Sequence, residues 1–153
     1  MRERYGWAES IVLQQLQLRD RAIAKVLVSL VPIDALKPHE HVIESHVLEL
    51  LHDIAQRRKI LRPIVVDSRT LVILDGHHRV EALRRLGLRF APAVLVDYDS
   101  DCVSVSSWRK GYPVTKEIVR KAGLSGYRLP PKTSRHRLCF EIPEVSVGIE
   151  LLK

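Results

Sequence analysis

With 153 residues, 46% of them hydrophobic, the chain has the size and apolar content for one compact domain over 1–153. No apolar run is long enough to span a bilayer, and the stretch from Met1 to Trp7 lacks the apolar core of a secretion signal. A membrane protein is therefore set aside and the cytoplasm is expected. The formal net charge of +7 favours polyanions or phosphorylated small molecules, but 5% aromatic content argues against an extended base-stacking surface, so nucleic acid is the less favoured partner.

Along the chain, Val12, Leu13, Leu16 and Ile23 recur at helical spacing, which predicts a helix over about 8–25. The β-rich stretch Val26 to Ile33 reads as a strand, with Pro32 marking an edge position or its exit. A polar loop follows, stiffened by Pro38 and carrying Lys37, His39 and Glu40. Val47, Leu48, Leu51 and Ile54 then predict a helix from about Glu44 to Arg58. Pro63 to Val66 is a short strand, and Ser68-Arg69 turns the chain toward Leu71.

From Leu71 to Leu74 the chain is apolar and β-favouring, so it reads as a buried strand. Asp75-Gly76 breaks it. From His77 the period becomes helical, with Val80, Leu83 and Leu86 on one face and Gly87 as the stop. A strand that feeds a helix through a tight turn leaves unpaired N–H groups at the helix start, a geometry that binds phosphate. Asp75, His77, His78 and Arg79 sit where side chains would join in. Asp75 is also the natural N-cap.

Phe90 to Tyr98 and Val103 to Trp108 read as two further strands around an acidic turn. Thr115 caps a helix that ends near Ala122 or Gly123. Residues 127–137 read as a stiff, donor-rich loop, and the tail from Leu138 to Leu151 as mostly β-like. Cys102 and Cys139 lie in no metal or redox spacing and are expected as packing residues in a reducing compartment.

Three stretches carry chemistry: Lys37-Pro38-His39-Glu40, Asp75-Gly76-His77-His78-Arg79, and Pro131-Lys132-Thr133-Ser134-Arg135-His136. Together with Val31-Pro32-Ile33-Asp34, and in this order, they resemble the ParB/sulfiredoxin superfamily, and more closely its archaeal free L-serine kinases. The resemblance covers most of the chain after about Val26. It implies an α/β (α+β) fold, a small mixed sheet flanked by helices. It also implies phosphoryl transfer from ADP or ATP, with Mg²⁺, to the hydroxyl of L-serine.

Carried over position by position, Glu40 would take the proton from the serine hydroxyl. Asp75, Gly76, His77, His78 and Arg79 would form the phosphate-binding turn, with Asp75 touching Mg²⁺ directly or through water. Trp108 would line the serine pocket, and Lys132, Ser134, Arg135 and His136 would help hold serine and the phosphates. Ser134 stands where threonine is expected, which keeps the hydroxyl. Archaeal enzymes of this type can be longer, which leaves the choice between ADP and ATP open.

The main rival is a ParB-like nucleotide-dependent DNA-binding protein. It would need a helix-turn-helix region, and the residues after Gly87 read largely as strands and loop. A sulfiredoxin-like reductase would need a cysteine in the turn that His77 and His78 occupy.

Overall fold

A computed structural model describes residues 26–153. The helix expected over about 8–25 lies outside them. Four strands form the central sheet: β1 (Val28–Pro32), β3 (Ile64–Asp67), β4 (Ile73–Asp75) and β5 (Phe90–Val96). Their spatial order is β1-β5-β3-β4. The β1/β5 and β3/β4 pairs are antiparallel and β3/β5 is parallel. This is the small mixed sheet the resemblance implied. Its strands are rich in Val and Ile because both faces are covered: Val28, Val31, Ile64, Val66 and Ala93 are all buried. Pro32 ends β1, an outer strand, where a missing N–H costs no ladder bond.

Helix α1 (Glu44–Arg57) buries Val47 and Ile54, and α2 (His77–Arg85) buries Val80, Ala82 and Leu83. The two pack on each other, and Arg85 of α2 forms a two-pronged ion pair with Glu44 at the start of α1, at 2.5 and 2.7 Å. Helix α3 (Lys116–Ser125) starts as expected, with Ile118 N–H donating to Thr115 Oγ1 at 3.2 Å. It runs two to three residues past Ala122 and Gly123, to a left-handed Gly126. Gly123 lies inside because α3 presses on Val72. A Cβ there would come within 2.6 Å of Val72 Cγ2.

Two ribbons complete the described chain. β2 (Lys59–Ile60) pairs with β8 (Val147–Gly148), and β6 (Val103–Ser107) pairs with β7 (Ser134–Leu138). The second ribbon corrects three expectations. Ser134 to His136 are strand, not loop, because β6 supplies their ladder partners. Beyond Leu138 the tail is mostly irregular, with one two-residue strand and a 3₁₀ turn, Ile149–Leu152. The cysteines are not separate packing residues. They flank the Val103–Leu138 pair, their Cα atoms are 4.8 Å apart, and they form a disulfide. Cross-strand neighbours 37 residues apart leave no mark in local spacing.

What positions the site is the segment Lys37 to Ile43. Lys37 N–H donates to Leu71 O and Ile73 N–H to Lys37 O, both at 2.9 Å, which lays the segment alongside β4. On its other side, Leu129 N–H donates to His39 O at 2.8 Å and His41 N–H to Leu129 O at 2.9 Å. A loop bonded on both sides has little freedom left.

Candidate active site

The turn between β4 and α2 is open. Gly76 occupies the N-cap position at φ 108°, and no side chain caps the helix, so Asp75 does not take the cap role. Val80 N–H is the first to bond back, to Gly76 O at 2.9 Å. The amides of His77, His78 and Arg79 therefore have no helical partner and carry the positive end of the dipole. Arg79 is half-buried beside the turn. Among the described residues its Nη1 has no hydrogen-bond partner, and it would sit 3.4 Å from a Cβ placed on Gly76. Burial pulls its pKa below the ordinary guanidinium value, partly offset by Asp75, yet it stays a cation.

His77 and His78 do something the sequence did not suggest. His39 N–H donates to His77 Nε2, and Ile43 N–H donates to His78 Nε2, both at 3.0 Å. Each ring accepts a backbone proton and is therefore neutral at that nitrogen. Burial, reinforced by repulsion from His39, lowers the His77 pKa to about 3. Burial, then His46, lowers that of His78 as well. The adjacent histidines act as two clasps that hold the Glu40 segment against the start of α2.

Glu40 is buried within that segment. Its Oε2 accepts the Ser134 N–H at 2.8 Å and the Ser134 hydroxyl, and His39 Nε2 lies 3.3 Å away. Burial alone would raise its pKa. The neighbouring His39 ring and the hydrogen bonds from Ser134 outweigh that and bring it down to about 2. Among the described residues Oε1 accepts no hydrogen bond.

Glu40, Leu74, Asp75, Gly76, His77, His78, Trp108, Lys132 and Ser134 line one cavity of about 610 Å³. Four separated stretches of sequence thus converge on a single space. Trp108 is 58% exposed, and the Arg135 guanidinium stacks on its ring 4.2 Å from the centroid. Lys132 adopts a left-handed backbone at φ 50°, uncommon for a side chain with a Cβ.

Arg135 and His136 do not line this cavity. Arg135 reaches it only through Trp108. His136 points away, hydrogen-bonded to the buried Tyr98 hydroxyl at 2.7 Å, and its pKa falls to about 3, first from burial and then from His39.

Two contributors lie outside the residues the resemblance assigned. His39, fully buried, bonds Ile73 O through Nδ1 at 2.7 Å and Ser134 Oγ through Nε2 at 2.8 Å. It was visible in the Lys37–Glu40 stretch but without a role. Arg109 braces the Lys132 loop, donating from Nη2 to Pro131 O at 2.7 Å and from Nε to Thr133 Oγ1 at 3.1 Å. Its position just after β6 gave no signal.

These buried histidines set a pH dependence. His77 and His136 stay neutral in the fold down to about pH 3, whereas in the unfolded chain they protonate below 6.5. Glu40 protonates in the fold near 2 and in the unfolded chain near 4.5. In every case the unfolded state binds more protons between the two values, so stability rises with pH there. Each group contributes a slope of up to about 1.4 kcal/mol per pH unit. Calorimetry should show Tm falling steadily from pH 6.5 to 3; a flat Tm over that range would contradict the assignment.

Comparison with known proteins agrees with this architecture. Residues 13–106 match the family described as ParB N-terminal domain. A ParB-like protein of Sulfolobus acidocaldarius is 45% identical over 75 residues, covering 49% of this chain and 37% of that one. An ATP-dependent L-serine kinase of Desulfurococcus mucosus is 32% identical over 115 residues, covering 69% of this chain and 45% of that one. The chain thus spans less than half the length of either relative. A solved structure of a free serine kinase in complex with AMP superimposes with a TM-score of 0.77 at 18% identity, covering 84% of this chain and 94% of that one. At that identity the likeness speaks for the fold, a mixed sheet flanked by helices. The family match takes in β1 through β5 and most of β6, including the Glu40 segment and the open turn of α2, and by it the chain belongs to the ParB N-terminal domain family.

Proposed function

We propose that the chain transfers a phosphoryl group from ADP or ATP to the hydroxyl of L-serine, giving O-phospho-L-serine. The observation that carries this reading is one cavity with an ionised carboxylate, Glu40, on one wall and the bare N-terminus of α2 on another. Such a space holds phosphates at one end and a small alcohol at the other. The names of the Desulfurococcus relative and of the AMP-bound neighbour support it.

Phosphoryl transfer asks a protein mainly to position groups and to stabilise spreading charge. The amides of His77 to Arg79 and the Lys132 ammonium hold the phosphates, with the Arg79 cation behind them. Glu40 orients the serine hydroxyl and accepts its proton. Trp108, braced by Arg135, walls the cavity against water, the competing nucleophile. Ser134 holds Glu40 in place rather than holding phosphate.

Asp75 fits a role toward Mg²⁺. It is exposed at the cavity, and among the described residues its carboxylate accepts no hydrogen bond. A Mg²⁺ ion held there would take most of its ligands from substrate phosphates and water. When bound, the metal supplies charge neutralisation between the phosphates.

The test is incubation of the chain with L-serine, Mg²⁺ and either ATP or ADP, followed by mass spectrometry. O-phospho-L-serine is expected with at least one nucleotide. Its absence with both rejects the proposal.

A further inference from the structure

The hydrogen bonds around Glu40 leave one proton unaccounted for. His39 Nδ1 faces the Ile73 carbonyl at 2.7 Å, and a carbonyl only accepts, so the ring proton is on Nδ1. His39 Nε2 is then a bare acceptor, 2.8 Å from Ser134 Oγ. On the other side of that hydroxyl is Glu40 Oε2, also an acceptor. Two acceptors face one hydroxyl, and the hydroxyl has one hydrogen. Of the two gaps in the row Glu40–Ser134–His39, only one is bridged while His39 is neutral. One added proton bridges both: His39 Nε2–H donates to Ser134 Oγ, and Ser134 O–H donates to Glu40.

We propose that this vacancy receives the proton released by the substrate alcohol, making Ser134 and His39 a relay that clears Glu40 during phosphoryl transfer. The inference rests on the kinase reading. The alcohol oxygen bonds to phosphorus as the bridging P–O bond of the nucleotide breaks, and the alcohol proton passes to Glu40. A half-turn of the carboxyl group brings that proton to Oε2. Ser134 takes it there while giving its own hydroxyl proton to His39 Nε2. Glu40 ends as carboxylate, Ser134 unchanged and His39 as imidazolium; the proton returns to water once product leaves.

The relay solves a problem that the site poses. The Ser134 N–H and hydroxyl both donate to Glu40 Oε2 and favour its carboxylate form, which makes it a poor resting place for a proton, so the proton has to move on. Groups facing His39 tune the last step. His77 of α2 is 4.6 Å from it between ring centroids, His136 of β7 is 6.0 Å away, and both are neutral. Glu40 of its own segment is the charged neighbour, 3.3 Å from His39 Nε2.

Two measurements on the whole chain test this. Long-range ¹H–¹⁵N NMR should find His39 at pH 8 protonated on Nδ1 and bare on Nε2. Turnover of Ser134→Ala should fall about 10- to 100-fold, at the low end of proton-transfer catalysis, with serine KM within about twofold. Ser134→Thr, which keeps the hydroxyl, should retain wild-type turnover. A neutral His39 carrying its proton on Nε2 overturns the relay, as does a Ser134→Ala variant with wild-type turnover. The expected tautomer in a chain that makes no phosphoserine rejects the kinase reading and leaves the vacancy standing.

Discussion

Glu40→Ala lowers turnover by about 10²- to 10⁴-fold, the range for loss of a positioned proton acceptor, while nucleotide affinity changes by less than about threefold. The split follows from where the contacts lie. The proposed phosphate grip comes from the amides at the start of α2 and from Lys132, none of which bonds to the Glu40 carboxylate. That carboxylate meets Ser134 and His39 instead. Steady-state kinetics with calorimetric titration of nucleotide would show the split. Turnover within about fivefold of wild type would remove Glu40 from the base role. Loss of nucleotide binding would mean that it supports the turn rather than the alcohol.

A second large effect is expected at Gly76. Its φ of 108° is open to glycine and strained for any other residue, and a Cβ would lie 2.5 Å from Ile64 Cγ2 and 2.9 Å from Ile64 Cβ. Ile64 is fully buried in β3 and hydrogen-bonded into the sheet, so it cannot step aside. Left-handed strain of about 1–2 kcal/mol and overpacking of about 1–3 kcal/mol act together. Gly76→Ala should therefore lose about 2–5 kcal/mol in urea denaturation, and its nucleotide affinity should fall with it as the turn shifts. A variant within about 1 kcal/mol of wild type would show that the turn is softer than this geometry implies.

The same turn shows what a sequence can and cannot disclose. The change of period at Asp75-Gly76 marked the end of a strand and the start of α2 within a residue, because both signals are local. Thr115 and the extent of α1 were readable for the same reason, although of its expected apolar face Val47 and Ile54 are buried and Leu48 is exposed. The clasps of His77 and His78 were not. Their partners are the backbone N–H groups of His39 and Ile43, and a backbone donor has no sequence signature. Only the fold shows that the two histidines bind protein.

Ser134 to His136 looked like loop because Pro130-Pro131 precede them and they are polar. The ladder from β6 overrides that local preference. One consequence is that alternate residues of β7 serve opposite sides: Ser134 faces Glu40, whereas Arg135 turns to Trp108. A resemblance that assigned the stretch as one substrate-holding loop could not separate these duties. The Cys102–Cys139 bridge and the Arg109 brace share that origin, being contacts across a ribbon whose two strands are far apart in sequence.

The most direct measurement is real-time ³¹P NMR of the chain with L-serine, Mg²⁺ and ATP or ADP. A carboxylate facing a phosphate-holding helix end across a walled cavity should move phosphate to the amino acid, not to water. The terminal phosphate signal of one nucleotide should decay as a phosphomonoester signal grows in equal amount. Growth of inorganic phosphate alone, or no change with either nucleotide, would contradict the account.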